Sequence, residues 1–204
     1  RFVALDMDGT ALNERHELSH ETLTVLRSLS ERGIDVALCS GRSTAAIHDH
    51  VERLQLPRSV PIVAFNGAAG MLATTPGWAL AASEIFKLPV AEDAVDTILA
   101  AAEERGEVVQ YYVGTKIYVV CKHDEHVELT KRYAKLTGVE AHRYVKSYDE
   151  AKSMGLPYKC LVMTNEIDAT LAHMQASLPT GFVTVIRGTP PFFIECLSPE
   201  VNKG

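Results

Sequence analysis

Asp6 and Asp8 stand two residues apart at the end of the apolar run "FVAL", and Gly9 and Thr10 follow at once. Two carboxylates this close resist simultaneous ionisation unless a cation or a phosphoryl group lies between them. One can attack while the other transfers protons, provided the strand conformation persists through Met7 and both project to one side. Gly9 permits close backbone approach to an anion, and Thr10 adds a hydroxyl and an amide donor. Farther along, "SGR" (Ser40, Gly41, Arg42) and "NGA" (Asn66, Gly67, Ala68) each follow a strand-like run, and "VNKG" near the end supplies Lys203. Ser40 offers a neutral donor to a phosphoryl oxygen, and Lys203 a compact positive charge suited to phosphate.

Positioning these groups requires a particular order of elements. "FVAL" (2–5), "IDVALC" (34–39) and "PIVAF" (61–65) read as buried strands, and helices over 19–32 and 43–54 alternate with them. Ser19 caps the first helix, Leu23, Leu26 and Leu29 form its apolar face, and Gly33 ends it; the second carries Ile47, Val51 and Leu54 on one side. Such alternation implies parallel β-α-β units, whose ligands bind beyond the carboxyl ends of the strands. The three polar loops are thereby brought to one edge.

From about residue 81 the pattern changes. Helices near 91–104, 124–137 and 166–177 accompany strands "EVVQYYV", "KIYVVC", "YKCLVM", "FVTVIR" and "FFIECL", the first two joined at Gly114-Thr115. This describes an antiparallel sheet covered by helices. The expected division is 1–81 for the first part of a Rossmann-like parallel-sheet core, 82–197 for an inserted α/β domain, and 198–204 for the return to the core, whose remainder is expected beyond residue 204.

Composition narrows the partners. Across 204 residues, 47% hydrophobic, the formal charge is -6 with lysine and arginine scattered, so no basic footprint for nucleic acid exists. No run is long enough to cross a bilayer, which suggests no membrane partner and a cytoplasmic setting. Cys39, Cys121, Cys160 and Cys196 lie in or beside apolar strands without zinc spacing and read as buried free thiols. His48, His50, His123 and His126 read as solvated helix residues. Glu17 falls at the twelfth position from Asp6, as in a calcium loop, but Ala11 stands where such a loop needs glycine and no helix precedes it.

Taken together, the Asp6-Asp8-Gly9-Thr10 run, Ser40 of "CSGR", Asn66 of "FNGA" and Lys203 of "VNKG" resemble the haloacid dehalogenase superfamily, and within it the Cof-like sugar-phosphate phosphatases with an α/β cap. The resemblance implies a magnesium-dependent hydrolase of a small phosphorylated metabolite. It makes Asp6 the nucleophile that forms an aspartyl-phosphate, and Asp8 the general acid and then base. Magnesium would be held by Asp6, the Asp8 carbonyl and an acidic residue beyond Gly204, because the acidic fourth motif of the family does not occur within these residues. Thr10, Ser40, Gly41 and Lys203 would bind phosphate, and Arg42, Asn66 and Gly67 would contact substrate. Two bland readings stand beside these: Ser40 as a cap of the helix near 43, a purpose it is expected to serve together with phosphate binding, and Asn66-Gly67 as a plain turn. Two other functions stay open, a phosphomutase of the same superfamily and a non-catalytic sugar-phosphate-binding regulator. Neither the ester nor the oligomeric state is legible.

Overall fold

In the computed structural model, which describes residues 1–74 and 84–202, the chain divides into two units. Unit 1 comprises Arg1–Lys87 with Asn202–Gly204, and unit 2 comprises Leu88–Val201. The boundary expected at 81/82 and the residue Lys203 lie outside the described residues.

Unit 1 holds a sheet of β1 (Phe2–Asp6), β2 (Asp35–Cys39), β3 (Val60–Ala64), β4 (Ala69–Ala73) and β5 (Glu84–Lys87), in that order. The first three run parallel, as the alternation with helices requires, and β4 and β5 are antiparallel additions. Helices α1 (His20–Glu31) and α2 (Thr44–Leu54) link the parallel strands. Ser19 caps α1 by accepting from Thr22 N, and Ser43, rather than Ser40, caps α2 by accepting from Ala46 N. Ile47, Val51 and Leu54 are wholly buried, each contributing about 1.5–3 kcal/mol relative to exposure.

Unit 2 is built on a second sheet, ordered β10 (Thr184–Arg187), β11 (Phe193–Leu197), β9 (Lys159–Met163), β6 (Val108–Val113), β7 (Lys116–Val119) and β8 (His142–Tyr144). Neighbours are antiparallel except β7 and β8, which are joined through α4 (Asp124–Thr137) and therefore run parallel. Strand alternation puts Val109, Tyr111, Cys160, Val162, Ile194 and Cys196 in one core with α3 (Glu92–Glu104) and α6 (Ile167–Ser177). On the other face α4 lays Tyr133 edge-on to Phe193, with ring centroids 5.3 Å apart. A short helix, α5 (Tyr148–Lys152), follows β8. The mixed α/β architecture expected from the sequence is thus present, a parallel sheet and a separate, largely antiparallel one, each with its own helices.

That second face buries charge. Lys159 is 2% exposed, and its Nζ donates to Glu195 Oε1 at 2.7 Å while lying 5.2 Å from the Tyr112 ring centre. Burial, the largest single influence, lowers the Lys159 pKa, but Glu195 and Tyr133 together outweigh it and leave the ammonium above its ordinary value.

Three expectations about titratable residues change. Cys160 and Cys196 are buried, and burial pushes the Cys196 thiol up to about 12, but Cys39 and Cys121 are only partly covered. His50 is buried rather than solvated, since its side of α2 also carries Leu54 into the core. His126 is buried as well: its Nδ1 accepts from Lys122 N at 3.2 Å and its Nε2 donates to Gly106 O at 2.9 Å. Those two bonds lock the ring between the end of α3 and the start of α4.

Candidate active site

The parallel pairing of β1 with β2 sets Asp6 directly beside Cys39, one residue before Ser40. The strand does not continue through Met7, as the same-side argument for the two aspartates required. Met7 is wholly buried and opens a tight turn through Ala11, closed by Leu12 N donating to Met7 O at 2.8 Å, with Gly9 at φ 77° inside it. Asp8 therefore departs from the strand line at the start of a turn, and its side chain is positioned by partners from elsewhere.

Those partners are Arg42 and His16. Arg42 Nε donates to Asp8 Oδ2 at 2.8 Å and Nη2 donates to Oδ1 at 2.6 Å, a two-pronged fit that matches the planar guanidinium to the carboxylate. His16 Nδ1 lies 3.2 Å from Asp8 Oδ1 and 3.2 Å from Arg42 Nη2. The Arg42 hydrogen bonds hold the Asp8 carboxyl below the usual carboxylate range despite partial burial, and His16 adds to the effect. His16 was not singled out from the sequence. It sits at φ 58° in a small loop between Leu12 and Leu18, closed by Asn13 Oδ1 accepting from the amides of Arg15 and Glu17. Its only sequence signal was the polar run "NERHE" bounded by leucines.

The second and third loops are tied to each other by backbone. Ser40 N donates to Val63 O at 2.8 Å, Asn66 N to Ser40 O at 3.0 Å, and Phe65 N to Arg42 O at 3.0 Å. Ser40 is 1% exposed, and its hydroxyl accepts from Arg42 N at 3.2 Å. Gly41 passes so close to Asn66 that a Cβ would fall 2.5 Å from Asn66 Oδ1. Gly67, at φ 110°, leaves no room either, because a Cβ would meet Asn202 O at 1.8 Å. The returning chain therefore lies against the third loop, one residue before Lys203, and the Asn66-Gly67 segment is more than a plain turn. Thr10 is exposed at the first loop.

Unit 1 thus gathers Asp6, Asp8, Ser40, Gly41, Arg42, Asn66 and Gly67 at the carboxyl ends of three parallel strands. Asp8 is occupied by Arg42 rather than standing open to substrate. Asp6 and the Asp8 carbonyl supply hard oxygen donors, the kind magnesium takes, and it commonly binds through few protein ligands. Among the described residues no group of three or more His, Cys, Asp or Glu could hold a metal ion, so these two would form part of a site. Among the described residues no helix is long and apolar enough to cross a membrane.

Comparisons with known proteins point one way. The sequence profile of the haloacid dehalogenase-like hydrolases matches residues 3–204. Over 208 residues the chain is 24% identical to YxeH of Bacillus subtilis, covering all of this chain and 72% of that protein. It is 29% identical over 99 residues to an HMP-PP phosphatase of Klebsiella pneumoniae, covering 48% of this chain and 33% of that one. Among solved structures, the subclass IIB sugar phosphatase BT4131 superposes with a TM-score of 0.75 at 18% identity, covering 100% of this chain and 72% of its own.

Proposed function

We propose that this chain, which belongs to the haloacid dehalogenase-like hydrolases, is a magnesium-dependent phosphatase of a small phosphorylated metabolite, a sugar phosphate being the favoured class. The observation that carries the reading is the gathering of two aspartates, a buried serine and an arginine at one edge of a parallel sheet. The phosphatase relatives support it, one acting on HMP-PP and one on sugar phosphates as their names state.

In this reading an Asp6 carboxylate oxygen attacks phosphorus and forms an aspartyl-phosphate, and the departing alkoxide takes a proton from Asp8. Asp8, then ionised, takes a proton from water as its oxygen attacks the same phosphorus, releasing phosphate and restoring Asp6. Asp6 and the Asp8 carbonyl would hold magnesium, which when bound would neutralise charge on the phosphoryl oxygens. Thr10, Ser40, the Gly41 amide and Lys203 hold those oxygens, and Asn66 and Gly67 shape the approach. The Arg42 pair keeps Asp8 ionised, which suits the base step. The acid step requires Arg42 to release Asp8, and a substrate phosphoryl group is the natural second partner for a two-pronged guanidinium.

Unit 2 is read as the cap that selects substrate. Its own sheet and core support this, as does the chain's double crossing between units. A cytoplasmic setting fits four free cysteines.

Hydrolysis of p-nitrophenyl phosphate by the natural protein carrying this sequence is expected to stop on chelation and to return on adding magnesium. Steady-state assays with EDTA and then magnesium check it, and activity unchanged by the chelator would contradict the reading.

A further inference from the structure

An acid that passes its proton to a leaving oxygen needs one carboxyl oxygen uncovered. Arg42 covers both oxygens of Asp8, with Nε donating to Oδ2 at 2.8 Å and Nη2 donating to Oδ1 at 2.6 Å. His16 meets only one of them: its Nδ1 lies 3.2 Å from Oδ1, and also 3.2 Å from Arg42 Nη2. These two contacts exclude each other as hydrogen bonds. Facing Nη2, Nδ1 has to accept, since a guanidinium only donates; facing the carboxyl oxygen Oδ1, it has to donate. While Arg42 sits on Asp8 the nitrogen can serve as its acceptor, and once Arg42 turns away it can take over Oδ1 alone. The ring is 66% exposed, so water can exchange the proton between its two nitrogens.

The loop that carries His16 does not need an imidazole for its own sake. Asn13 N donates to Glu17 O at 2.9 Å, His16 N donates to Asn13 O at 2.9 Å, and Asn13 Oδ1 accepts from the amides of Arg15 and Glu17. Leu12 and Leu18, both buried, pair across its base. Closure is thus the work of backbone, Asn13 and two leucines. At φ 58° the backbone of position 16 would suit glycine best. An exposed ring carried at such a position and turned onto a reactive carboxyl group is explained by neither packing nor the turn, and points to a use at Asp8.

We propose that His16 is a positioning residue for Asp8: its Nδ1–H holds Oδ1 after Arg42 has moved to the substrate phosphoryl group, and Oδ2 is left to handle the proton. The inference rests on the phosphatase reading and assigns the hand-over that reading requires. The ring gives no proton to the reaction. The proton on Oδ2 goes to the departing alkoxide, and Oδ2 regains one from the attacking water, while Oδ1 accepts from His16 in both steps.

Phenyl and p-nitrophenyl phosphate test it, because they are alike in shape while phenoxide, the poorer leaving group, depends more on the acid. Values of kcat/KM count the steps up to phosphoenzyme formation, where that acid acts. In the natural protein, His16→Gly is expected to lower kcat/KM about tenfold or more for phenyl phosphate and about threefold or less for p-nitrophenyl phosphate, with the melt unchanged. His16→Asn sets an amide N–H where Nδ1–H stood and should recover most of the loss. His16→Asp, of the same shape but without that donor, should not. Equal losses on the two esters, no loss in His16→Gly, or equal recovery by the asparagine and aspartate substitutions would each overturn the inference. Asp8→Asn measured alongside tells the two levels apart. Full activity in Asp8→Asn would remove the acid itself and the inference with it, whereas a loss there with none in His16→Gly would remove only the part assigned to His16.

Discussion

Asp6→Asn is expected to lower turnover of p-nitrophenyl phosphate by about ten-thousand-fold or more, the scale of loss when a covalent nucleophile is removed. The amide is nearly isosteric but a poor nucleophile. Asp6 lies half-buried at the end of β1, held in register with Cys39 by the strand pairing, so the fold should tolerate the change. A loss confined to kcat with an unchanged melt is the expected signature; turnover within tenfold of the unaltered enzyme would remove Asp6 from the nucleophile's role. Asp8→Asn separates the second role: it should slow turnover by about a hundredfold or more. It should also let the intermediate accumulate, because the base that activates water is gone. Breakdown of the intermediate in Asp8→Asn as fast as in the unaltered enzyme would contradict that division.

Glu195→Gln should be the most damaging single change to the stability of unit 2. Removing one partner of a buried ion pair leaves the other charge uncompensated, at about 3–5 kcal/mol, which corresponds to a fall in melting temperature of roughly 10 °C. Replacing both members, Lys159→Met with Glu195→Leu, should recover most of that loss, because the cost lies in the stranded charge rather than the missing bond. The pH dependence carries the sign. In the unaltered protein the folded Lys159 pKa is raised above its ordinary 10.5. Its contribution is therefore complete below that pH and is lost only as pH rises through the higher folded value. In Glu195→Gln burial, the largest influence, is opposed only by Tyr133 and depresses the folded pKa, so the variant should regain stability as pH rises from neutral towards about 10. Denaturant midpoints across that range check both statements, and a single variant as stable as the unaltered protein at neutral pH would refute them.

How far the sequence reveals these features depends on how much of each is local. Helix α2 was legible because Ile47, Val51 and Leu54 repeat at helical spacing and all three are buried. Its cap was misassigned to Ser40, since Ser40 and Ser43 both precede it and only the hydrogen bond to Ala46 N decides between them. Strand β4, "AGMLA", escaped notice because alanine and glycine carry little strand preference; its place is decided by pairing with β3. Strand β8, "HRY", is three polar and aromatic residues that become a strand only by lying parallel to β7.

The site shows the same division. Asp6, Ser40 and Asn66 were legible because strand-end loops in a parallel sheet converge. The Asp8–Arg42–His16 cluster was not, because it joins residues 34 and 8 positions apart through side chains whose directions depend on the turn after Asp6. The Lys159–Glu195 pair is not legible for the same reason: no local pattern says that two strands meet with these residues on one covered face. His50 and His126 likewise appeared solvated until their helices were placed.

The central claim is that Asp6 carries the phosphoryl group, and it can be read directly. The natural protein, mixed with magnesium and p-nitrophenyl phosphate and quenched in acid within the first turnovers, is digested and its peptides are weighed. The account predicts one phosphoryl group on the peptide containing Asp6, labile to hydroxylamine as an acyl phosphate must be, and absent from Asp6→Asn. Phosphate released in those same turnovers with no phosphorylated peptide, or with the label on another residue, would contradict it.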